Sequence, residues 1–322
     1  MPQPQLVNYT GWKKWCPTAD EMTAFEVDGR LPFELLENEY LIICEDKELK
    51  KPVQQYCYEK GQLRRVSYGS IKVPRIKIPE SGSNEGASAE DLKSAKNDGK
   101  SLRKGAKKRS TNKYSNKEEI IYPRNIEQVC AIDLMQDDSK TIKLITGSWG
   151  TGKTMLLVTS ALQRLHNGKA KRIVWIRNNV DVKGTKDLGA LPGDIVQKLY
   201  GFLGPFIDYV GKPGVKARLE NGSLEVEPLQ SLRGRNFKDS IIMCSEAENL
   251  MAENIQLIIA RAAEGSYCFF DADNRQRDKI DFEKSRGIER LIESLAGEPL
   301  FGYVHLMKSE RSATASLADK IR

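Results

Sequence analysis

A short run of glycine, hydroxyl and lysine residues near the middle of the chain has the composition of a phosphate-binding loop. Residues 147–154 read GSWGTGKT and match the pattern GxxxxGK[ST]. An apolar segment with strand character precedes them and a segment with helical periodicity follows, which is the context that this motif requires. The residues expected to contact a bound nucleotide are Gly147, Ser148, Trp149, Gly150, Thr151, Gly152, Lys153 and Thr154.

Each residue type in this loop has a chemical reason. The glycines allow backbone conformations in which successive amide groups point at one phosphate, at the positive end of the following helix. The ammonium group of Lys153 would reach the β- and γ-phosphates, and the hydroxyl of Thr154 would bind Mg²⁺. The alternative is a glycine-rich turn that binds nothing, which the flanking strand and helix disfavour.

A second candidate group follows the apolar segment 241–244, which has strand character. P-loop enzymes ordinarily carry Asp-Glu after this strand, where the aspartate holds the Mg²⁺ shell and the glutamate deprotonates the attacking water. Here the pair is Ser245 and Glu246. Glu246 is the predicted base. Ser245 can hydrogen-bond a metal-bound water but brings no negative charge, so we expect weaker Mg²⁺ binding. Asp239, at the far end of the strand, is not expected to replace the missing aspartate.

Polar residues also follow the next apolar segment, where residues 271–276 read DADNRQ. A carboxylate and a carboxamide three residues apart, just beyond a parallel strand, lie at the edge of the sheet where ligands bind. We predict that Gln276 senses the γ-phosphate or positions the attacking water. The alternative is a polar turn.

One glutamine and several arginines complete the candidate set. Gln128 could contact adenine, because one amide group can both donate to and accept from the base edge; a polar helix surface explains it equally well. Arginine stabilises charge on a transferring phosphoryl group and is often supplied by a neighbouring subunit. Arg311 is the first choice for such a finger. Other candidates, each of which a solvated surface also explains, are Arg177, Arg233 and Arg235.

The elements that must position these groups are those of an α/β fold. From Glu118 onward, strand-like segments alternate with helical ones, which predicts a parallel sheet with helices on both faces. The predicted strands are Ile142–Thr146, Arg172–Ile176, Ser240–Cys244, Tyr267–Phe270 and Tyr303–Leu306. The predicted helices follow Arg124, Lys153, Gly193, Asn249 and Ser285, with a last short one at Ser312–Ile321.

The chain ahead of this domain divides into three parts. Residues 1–32 form an arm to which no role is assigned. Residues 33–79 form a small β-rich region, for which a packing or oligomerisation accessory is the simplest explanation. Residues 80–117 are rich in Ser, Gly, Asn and Lys and have almost no apolar residues, so we expect a flexible linker. Basic residues between Lys100 and Arg109 could bind a phosphate backbone, although a solvated linker is the commoner explanation.

Composition limits the class of protein. The chain has 322 residues, of which 39% are hydrophobic and 30% charged, and no apolar run is long enough to cross a bilayer. The first residues lack the apolar core of a signal peptide, so a cytoplasmic location is expected. Six scattered cysteines and two histidines predict neither a disulfide framework nor a zinc site. The net charge of +7 is mild for this length.

Six sequence blocks occur in a fixed order in the second part of the chain: GSWGTGKT, RNNV…LGALPGDIVQKL, LQSLRGRNF, IIMCSEAENL, ADNRQRD and HLMKSERS. In this order they resemble the PhoH family of P-loop ATPases, and the resemblance covers about residues 122–322. The chain departs from the family pattern at Ser245 for aspartate, Glu248 for glutamine and Ala272 for glycine.

The resemblance implies a core like that of superfamily 1 helicases and hydrolysis of ATP with Mg²⁺. It implies Lys153, Glu246, Gln276 and Arg311 as catalytic residues and Gln128 as the adenine contact. It also implies a hexameric ring and a role linked to RNA. The segment 37–51 resembles the subgroup in which a PIN nuclease domain precedes the ATPase, but the roughly thirty residues ahead of it are expected to be too few for such a domain. We therefore do not expect nuclease activity.

Three functions remain in competition. The first is an ATPase, acting on RNA, that hydrolyses ATP at a subunit interface. The second is a scaffold in which bound ATP orders a ring without turnover, which the serine at position 245 favours. The third is a kinase for a small molecule or nucleoside, which lacks a recognisable acceptor site.

Overall fold

The computed structural model describes residues 9–75, 117–177, 201, 203–273, 286–311 and 314. Several predictions fall elsewhere in the chain: the basic linker, the helix expected after Gly193, and Gln276 lie outside the described residues. So does all but one residue of the last predicted helix, and the side chain of Arg177 is likewise not described.

The described residues form twelve strands and six α-helices. The strands are β1 (Trp12–Trp15), β2 (Tyr40–Cys44), β3 (Pro52–Glu59), β4 (Gln62–Arg65), β5 (Ile71–Arg75), β6 (Lys117–Ile121), β7 (Ile142–Gly147), β8 (Arg172–Arg177), β9 (Leu224–Pro228), β10 (Ser240–Cys244), β11 (Tyr267–Ala272) and β12 (Phe301–Leu306). The helices are α1 (Ala19–Asp28), α2 (Ile126–Gln136), α3 (Lys153–His166), α4 (Gly204–Glu220), α5 (Ala252–Ile259) and α6 (Gly287–Leu295).

The central sheet has six strands in the order β12-β7-β11-β10-β8-β9. All of its strand pairs are parallel. The predicted α/β class with a parallel sheet is therefore confirmed, and all five predicted strands are present. The strand that carries the glycine-rich loop, β7, lies between β12 and β11, while β10 lies one strand further away.

Apolar side chains on both faces bury the central sheet between two helical layers. Ile145 and Met243 pack with residues of α2, α3 and α4 on one face. Leu144 and Ile242, their neighbours along the same strands, pack with α5 and α6 on the other. Successive residues of a strand point to opposite faces, so a strand that is apolar throughout requires cover on both sides.

Strand β9 and helix α4 were not predicted. Strand β9 reads LEVEP and is too short for a clear alternating pattern; among the described residues it pairs with β8 alone, at the edge of the sheet. Helix α4 contains Pro213, and Gly211 within it has a non-helical φ of 68°. Residues that interrupt a helix also interrupt its apolar periodicity, which explains why the sequence pattern did not reveal it.

A second sheet of four strands lies against the edge strand β12. Its order is β1-β2-β3-β4, with β1 and β2 parallel and the other pairs antiparallel. The N-terminal arm, residues 1–32, to which the sequence analysis assigned no role, thus supplies strand β1 of this sheet. Three hydrogen bonds join it to β12, from His305 N to Thr10 O, from Trp12 Nε1 to His305 O and from Asn38 Nδ2 to Phe301 O.

The remaining strands, β5 and β6, form an antiparallel pair. All six cysteines are free thiols, and only Cys16 is not buried, which agrees with the absence of a predicted disulfide framework. None of the helices in the described ranges has the length and apolar character needed to cross a membrane.

Candidate nucleotide-binding site

The glycine-rich loop joins the carboxyl end of β7 to the amino end of α3, as the motif predicts. Gly150 and Gly152 have φ of 73° and 94°, in the left-handed region that residues with a Cβ rarely adopt. A Cβ on Gly150 would also lie 2.2 Å from the Cγ of Arg311. The loop therefore requires glycine at both positions, for backbone conformation and, at Gly150, for space.

Three hydrogen bonds hold the loop in shape. The Thr151 hydroxyl donates to the Ser148 carbonyl at 2.8 Å, and Lys153 Nζ donates to the same carbonyl at 3.0 Å. Gln128 Nε2 donates to the Thr151 carbonyl at 2.9 Å. The ammonium group of Lys153 is thereby folded over the loop, on the side where the cleft described below opens.

The side chain of Gln128 is buried and bonded on both ends of its amide. Besides its bond to the loop, its Oε1 accepts from the Arg124 backbone amide at 2.8 Å, and only 2% of the residue is exposed. Gln128 thus ties the start of α2 to the loop. The adenine contact expected of this residue stays a prediction.

A cleft of about 320 Å³ opens beside the loop. It brings the loop together with residues that follow β10 and β11, the two strands whose ends were expected to meet it. Of the predicted site residues, Trp149, Gly150, Gly152, Lys153, Thr154 and Glu246 line it. The other lining residues, to which the sequence analysis assigned no role in the site, are Met155, Glu248, Asp271 and Asp273.

Glu246, the predicted base, lies two residues beyond the end of β10. Its backbone has φ of 57° and ψ of 41°. A left-handed backbone is uncommon for a residue other than glycine and is found often at functional sites. Its backbone amide donates to Asp271 Oδ1 at 3.0 Å, which fixes this conformation against the neighbouring strand. The role of Glu246 as a base stays a prediction.

Ser245 is uncharged, but its side chain contacts a carboxylate. Its Oγ donates to Asp271 Oδ1 at 2.9 Å and to Oδ2 at 3.0 Å. The weaker Mg²⁺ binding expected from this serine stays a prediction, but the next strand places a carboxylate beside it. The missed signal is a charged residue at the end of an otherwise apolar strand, since Asp271 closes the buried segment YCFFD of β11.

Asp271 is only 2% exposed and contacts the glycine-rich loop's helix as well. Burial raises the pKa of Asp271, while hydrogen bonds from the Glu246 amide and from the Ser245 and Thr154 hydroxyls, together with the charge of Lys153, act in the opposite direction. The carboxylate therefore lies between the residue predicted to bind Mg²⁺ and the pair that follows β10.

Glu248 and Asp273 complete the acidic side of the cleft. Glu248 Oε2 accepts from the Asp273 backbone amide at 3.0 Å. Burial raises the pKa of Glu248 to about 8, so this side chain is mostly a neutral carboxylic acid near pH 7. A neutral Glu248 is close in shape and charge to the glutamine that the family pattern has at this position.

Arg311 lies against the loop of its own chain. The carbon at the centre of its guanidinium group is 4.9 Å from the centroid of the Trp149 ring. The preceding residue is anchored too, because Glu310 N donates to Gly150 O at 2.9 Å and its carboxylate accepts from Asn125 Nδ2 at 2.9 Å. A finger role in a neighbouring subunit stays a prediction.

The other arginines are distributed differently. Arg235 forms ion pairs with Glu225 at 3.2 Å and Glu227 at 2.8 Å, both on the edge strand β9. Arg233 is exposed, and neither residue lines the cleft.

The residues at the cleft fit a magnesium ion that is shared with phosphate groups. Mg²⁺ prefers oxygen ligands and usually keeps several waters, with only one or two protein ligands in nucleotide sites. The Thr154 hydroxyl and the Asp271 carboxylate, which line the same cleft, offer such oxygens. Within the described ranges, no three His, Cys, Asp or Glu side chains are grouped to hold a metal by themselves.

A parallel α/β sheet with this loop at the end of an inner strand defines a P-loop nucleotide-binding protein. The chain belongs to the family described as PhoH-like protein, whose model matches residues 120–321. The resemblance inferred from the six sequence blocks is thereby confirmed.

Curated relatives agree with this assignment. Protein PhoH2 of Bacillus subtilis (strain 168) is 34% identical over 208 residues, which are 62% of this chain and 47% of the relative. Protein PhoH2 of Mycolicibacterium smegmatis is 33% identical over 206 residues, 62% of this chain and 46% of the relative. The chain thus spans about half the length of these relatives. The flagellar accessory protein FlaH from Methanocaldococcus jannaschii matches at 12% identity and a TM-score of 0.27, over 49% of this chain and 71% of that one, and this likeness carries no argument.

Proposed function

We propose that the chain is a Mg²⁺-dependent ATPase. The observation that supports this best is the cleft itself, which Lys153, Thr154 and Glu246 line together. These are the three residue types that phosphate binding, metal binding and activation of water require. They follow two different strands of one sheet, β7 and β10, and line one cleft.

In the proposed reaction, each group has one task. The loop amides and Lys153 bind the phosphates, and Glu246 accepts the proton of the attacking water. Thr154 and a carboxylate of the cleft would hold Mg²⁺, which supplies positive charge to the phosphate oxygens when bound. Gln276 would position the water, and Arg311 would stabilise charge on the γ-phosphate.

Phosphate release by wild type and by Lys153→Ala tests the proposal. We expect the variant to lose about a hundredfold or more in rate, since it lacks the positive charge that would stabilise the transferred phosphoryl group. Lys171→Ala is a matched control, because Lys171 is 79% exposed and pairs with Asp239 at the opposite end of β10. Equal rates in wild type and Lys153→Ala would exclude ATP hydrolysis at this loop.

A scaffold that binds ATP without turnover is the second candidate. The observation that favours it is Ser245, which replaces the aspartate of the family pattern. Tight binding of ATP to wild type, with phosphate release no faster than from Lys153→Ala, would support the scaffold. Turnover above that of Lys153→Ala would exclude it.

Coupling to RNA in an oligomeric ring is a further part of the proposal. It rests on the basic cluster between Lys100 and Arg109 and on the family resemblance. Deleting residues 99–109 should lower both the affinity for single-stranded RNA and the salt dependence of that affinity. ATP hydrolysis should be measured with and without RNA, on protein whose mass is determined in the same buffer. Unchanged RNA binding after the deletion would show that the linker does not bind RNA.

A further inference from the structure

We propose that Asp271, from β11, supplies the carboxylate that supports Mg²⁺ in this site, and that Ser245 positions it. The inference rests on the proposed function, since it concerns the metal that accompanies bound ATP. It reverses the assignment expected from sequence, in which Ser245 itself stands in for the missing aspartate and the site is left without the charge.

The strand register places position 245, where the family pattern has its aspartate, beside Asp271. Cys244 of β10 is in register with Phe270 of β11, so the next residues, Ser245 and Asp271, are neighbours on adjacent parallel strands. Adjacent strands lie about 4.8 Å apart. The Ser245 hydroxyl and the Asp271 carboxylate therefore occupy adjacent positions at the ends of β10 and β11. Compared with the family pattern, the carboxylate is on β11 instead of after β10, and the pair of positions still holds one carboxylate and one hydroxyl.

The new position lies nearer to the loop. In the central sheet β11 separates β10 from β7, the strand that leads into the loop. Asp271 is in register with Ile145 of β7 and lines the same cleft as Thr154. A carboxylate on β11 thus reaches the threonine predicted to bind Mg²⁺ directly, without crossing an intervening strand.

The surroundings of Asp271 are built to hold a charged carboxylate in one orientation. Its Oδ1 accepts from the Glu246 amide at 3.0 Å and from Ser245 Oγ at 2.9 Å. A buried carboxylate is costly unless hydrogen bonds and opposite charge offset the loss of water, and here Lys153 provides that charge. Ser245 acts through Asp271 and is a positioning residue.

The pair also explains why position 245 is not acidic here. Ser245 Oγ lies within 3.0 Å of both oxygens of Asp271. An aspartate in place of that serine would bring two carboxylates together, which raises the free energy of the ionised pair. Restoring the family's aspartate at this position alone should therefore weaken the site.

Binding of Mn²⁺, a spectroscopic substitute for Mg²⁺, to the ATP complex tests the inference by electron paramagnetic resonance. Asp271→Asn keeps the shape and the acceptor for Ser245 but loses the charge. We expect it to bind ATP in EDTA as wild type does, and to bind Mn²⁺ in the ATP complex about tenfold or more weakly. Asp239→Asn, at the opposite end of β10, is the matched control and should leave Mn²⁺ binding unchanged.

The exchanged pair covers the case in which Asp271→Asn is destabilised. Ser245→Asp with Asp271→Ser should recover Mn²⁺ affinity to within about threefold of wild type, because one carboxylate and one hydroxyl are retained, whereas Ser245→Asp alone should bind Mn²⁺ more weakly than wild type. Wild-type Mn²⁺ affinity in Asp271→Asn, or no recovery in the exchanged pair, would overturn the inference. If wild type itself binds no ATP, the proposed function fails, which the EDTA titration reports separately.

Discussion

The side-chain amide of Gln128 donates a hydrogen bond to the carbonyl of Thr151 at 2.9 Å, which joins α2 to the glycine-rich loop. The same amide accepts from the Arg124 backbone. A residue expected to contact the base is thus bonded to the loop that holds the phosphates. The two roles make different predictions.

Gln128→Leu should lower the affinity for ATP and GTP by similar factors, because a displaced loop affects the phosphates that both nucleotides share. Burying one unsatisfied carbonyl should also cost about 1 to 3 kcal/mol in the free energy of unfolding. Titration with fluorescent analogues of both nucleotides provides the measurement. Gln136→Leu is the control, since this residue is exposed at the far end of the same helix. A selective loss of ATP binding would instead assign Gln128 to adenine.

Glu248→Gln should change how stability depends on pH. The pKa of Glu248 lies near 8 in the folded protein, above its ordinary value of 4.5. Between these values the folded state keeps a proton that the unfolded chain has lost, so the free energy of unfolding of wild type falls as pH rises. The variant lacks this dependence and should be more stable than wild type by about 1 to 3 kcal/mol near pH 9, with a smaller difference near pH 5.

Urea denaturation of Glu248→Gln at the two pH values provides that measurement. Glu253→Gln is its control, because Glu253 is exposed on α5 and its replacement should give the same difference at both pH values. A constant difference for Glu248→Gln would show that the carboxyl group titrates alike in the folded and unfolded chains.

Lys143→Met should destabilise the fold without touching the nucleotide. Lys143 is fully buried, and its Nζ donates to the carbonyls of Leu134 at 2.8 Å and Met135 at 3.1 Å, at the carboxyl end of α2. Methionine fills similar space but removes the ammonium donor. Arg164 Nε still donates to the Met135 carbonyl at 3.1 Å and Asp137 N to the Leu134 carbonyl at 3.2 Å, so the expected cost is the loss of the charged hydrogen bonds, about 1 to 3 kcal/mol. Thermal and urea unfolding measure the loss, with the exposed Lys171→Met as control. Unchanged stability would show that the remaining donors are sufficient for these carbonyls.

Arg311→Ala tests whether this arginine serves its own loop or that of a neighbour. Because Arg311 stacks on Trp149 of the same chain, we expect that mixing Arg311→Ala with Lys153→Ala restores no phosphate release. Arg290→Ala, exposed on α6, is the control for a general charge effect. Restored activity in the mixture would show that the arginine acts across a subunit interface.

The sequence was sufficient to predict five of the six strands of the central sheet and the main parts of the cleft. Each of these five strands is an apolar run that ends in polar residues, so the positions of Lys153 and Glu246 follow from local pattern and from the parallel arrangement. The partner of Ser245 did not follow, since Asp271 lies 26 residues away and becomes its neighbour only through the strand register. The parallel pairing of Trp12–Trp15 with β2 was missed for the same reason.

Phosphate release by Glu246→Gln, measured together with ATP binding, tests the central claim most directly. Glutamine keeps the size of the side chain but cannot accept a proton from water. We predict that the variant binds ATP and Mg²⁺ as wild type does and releases phosphate about a hundredfold or more slowly. A variant that releases phosphate at the wild-type rate would contradict the account, because the cleft beside the loop would then not be where ATP is hydrolysed.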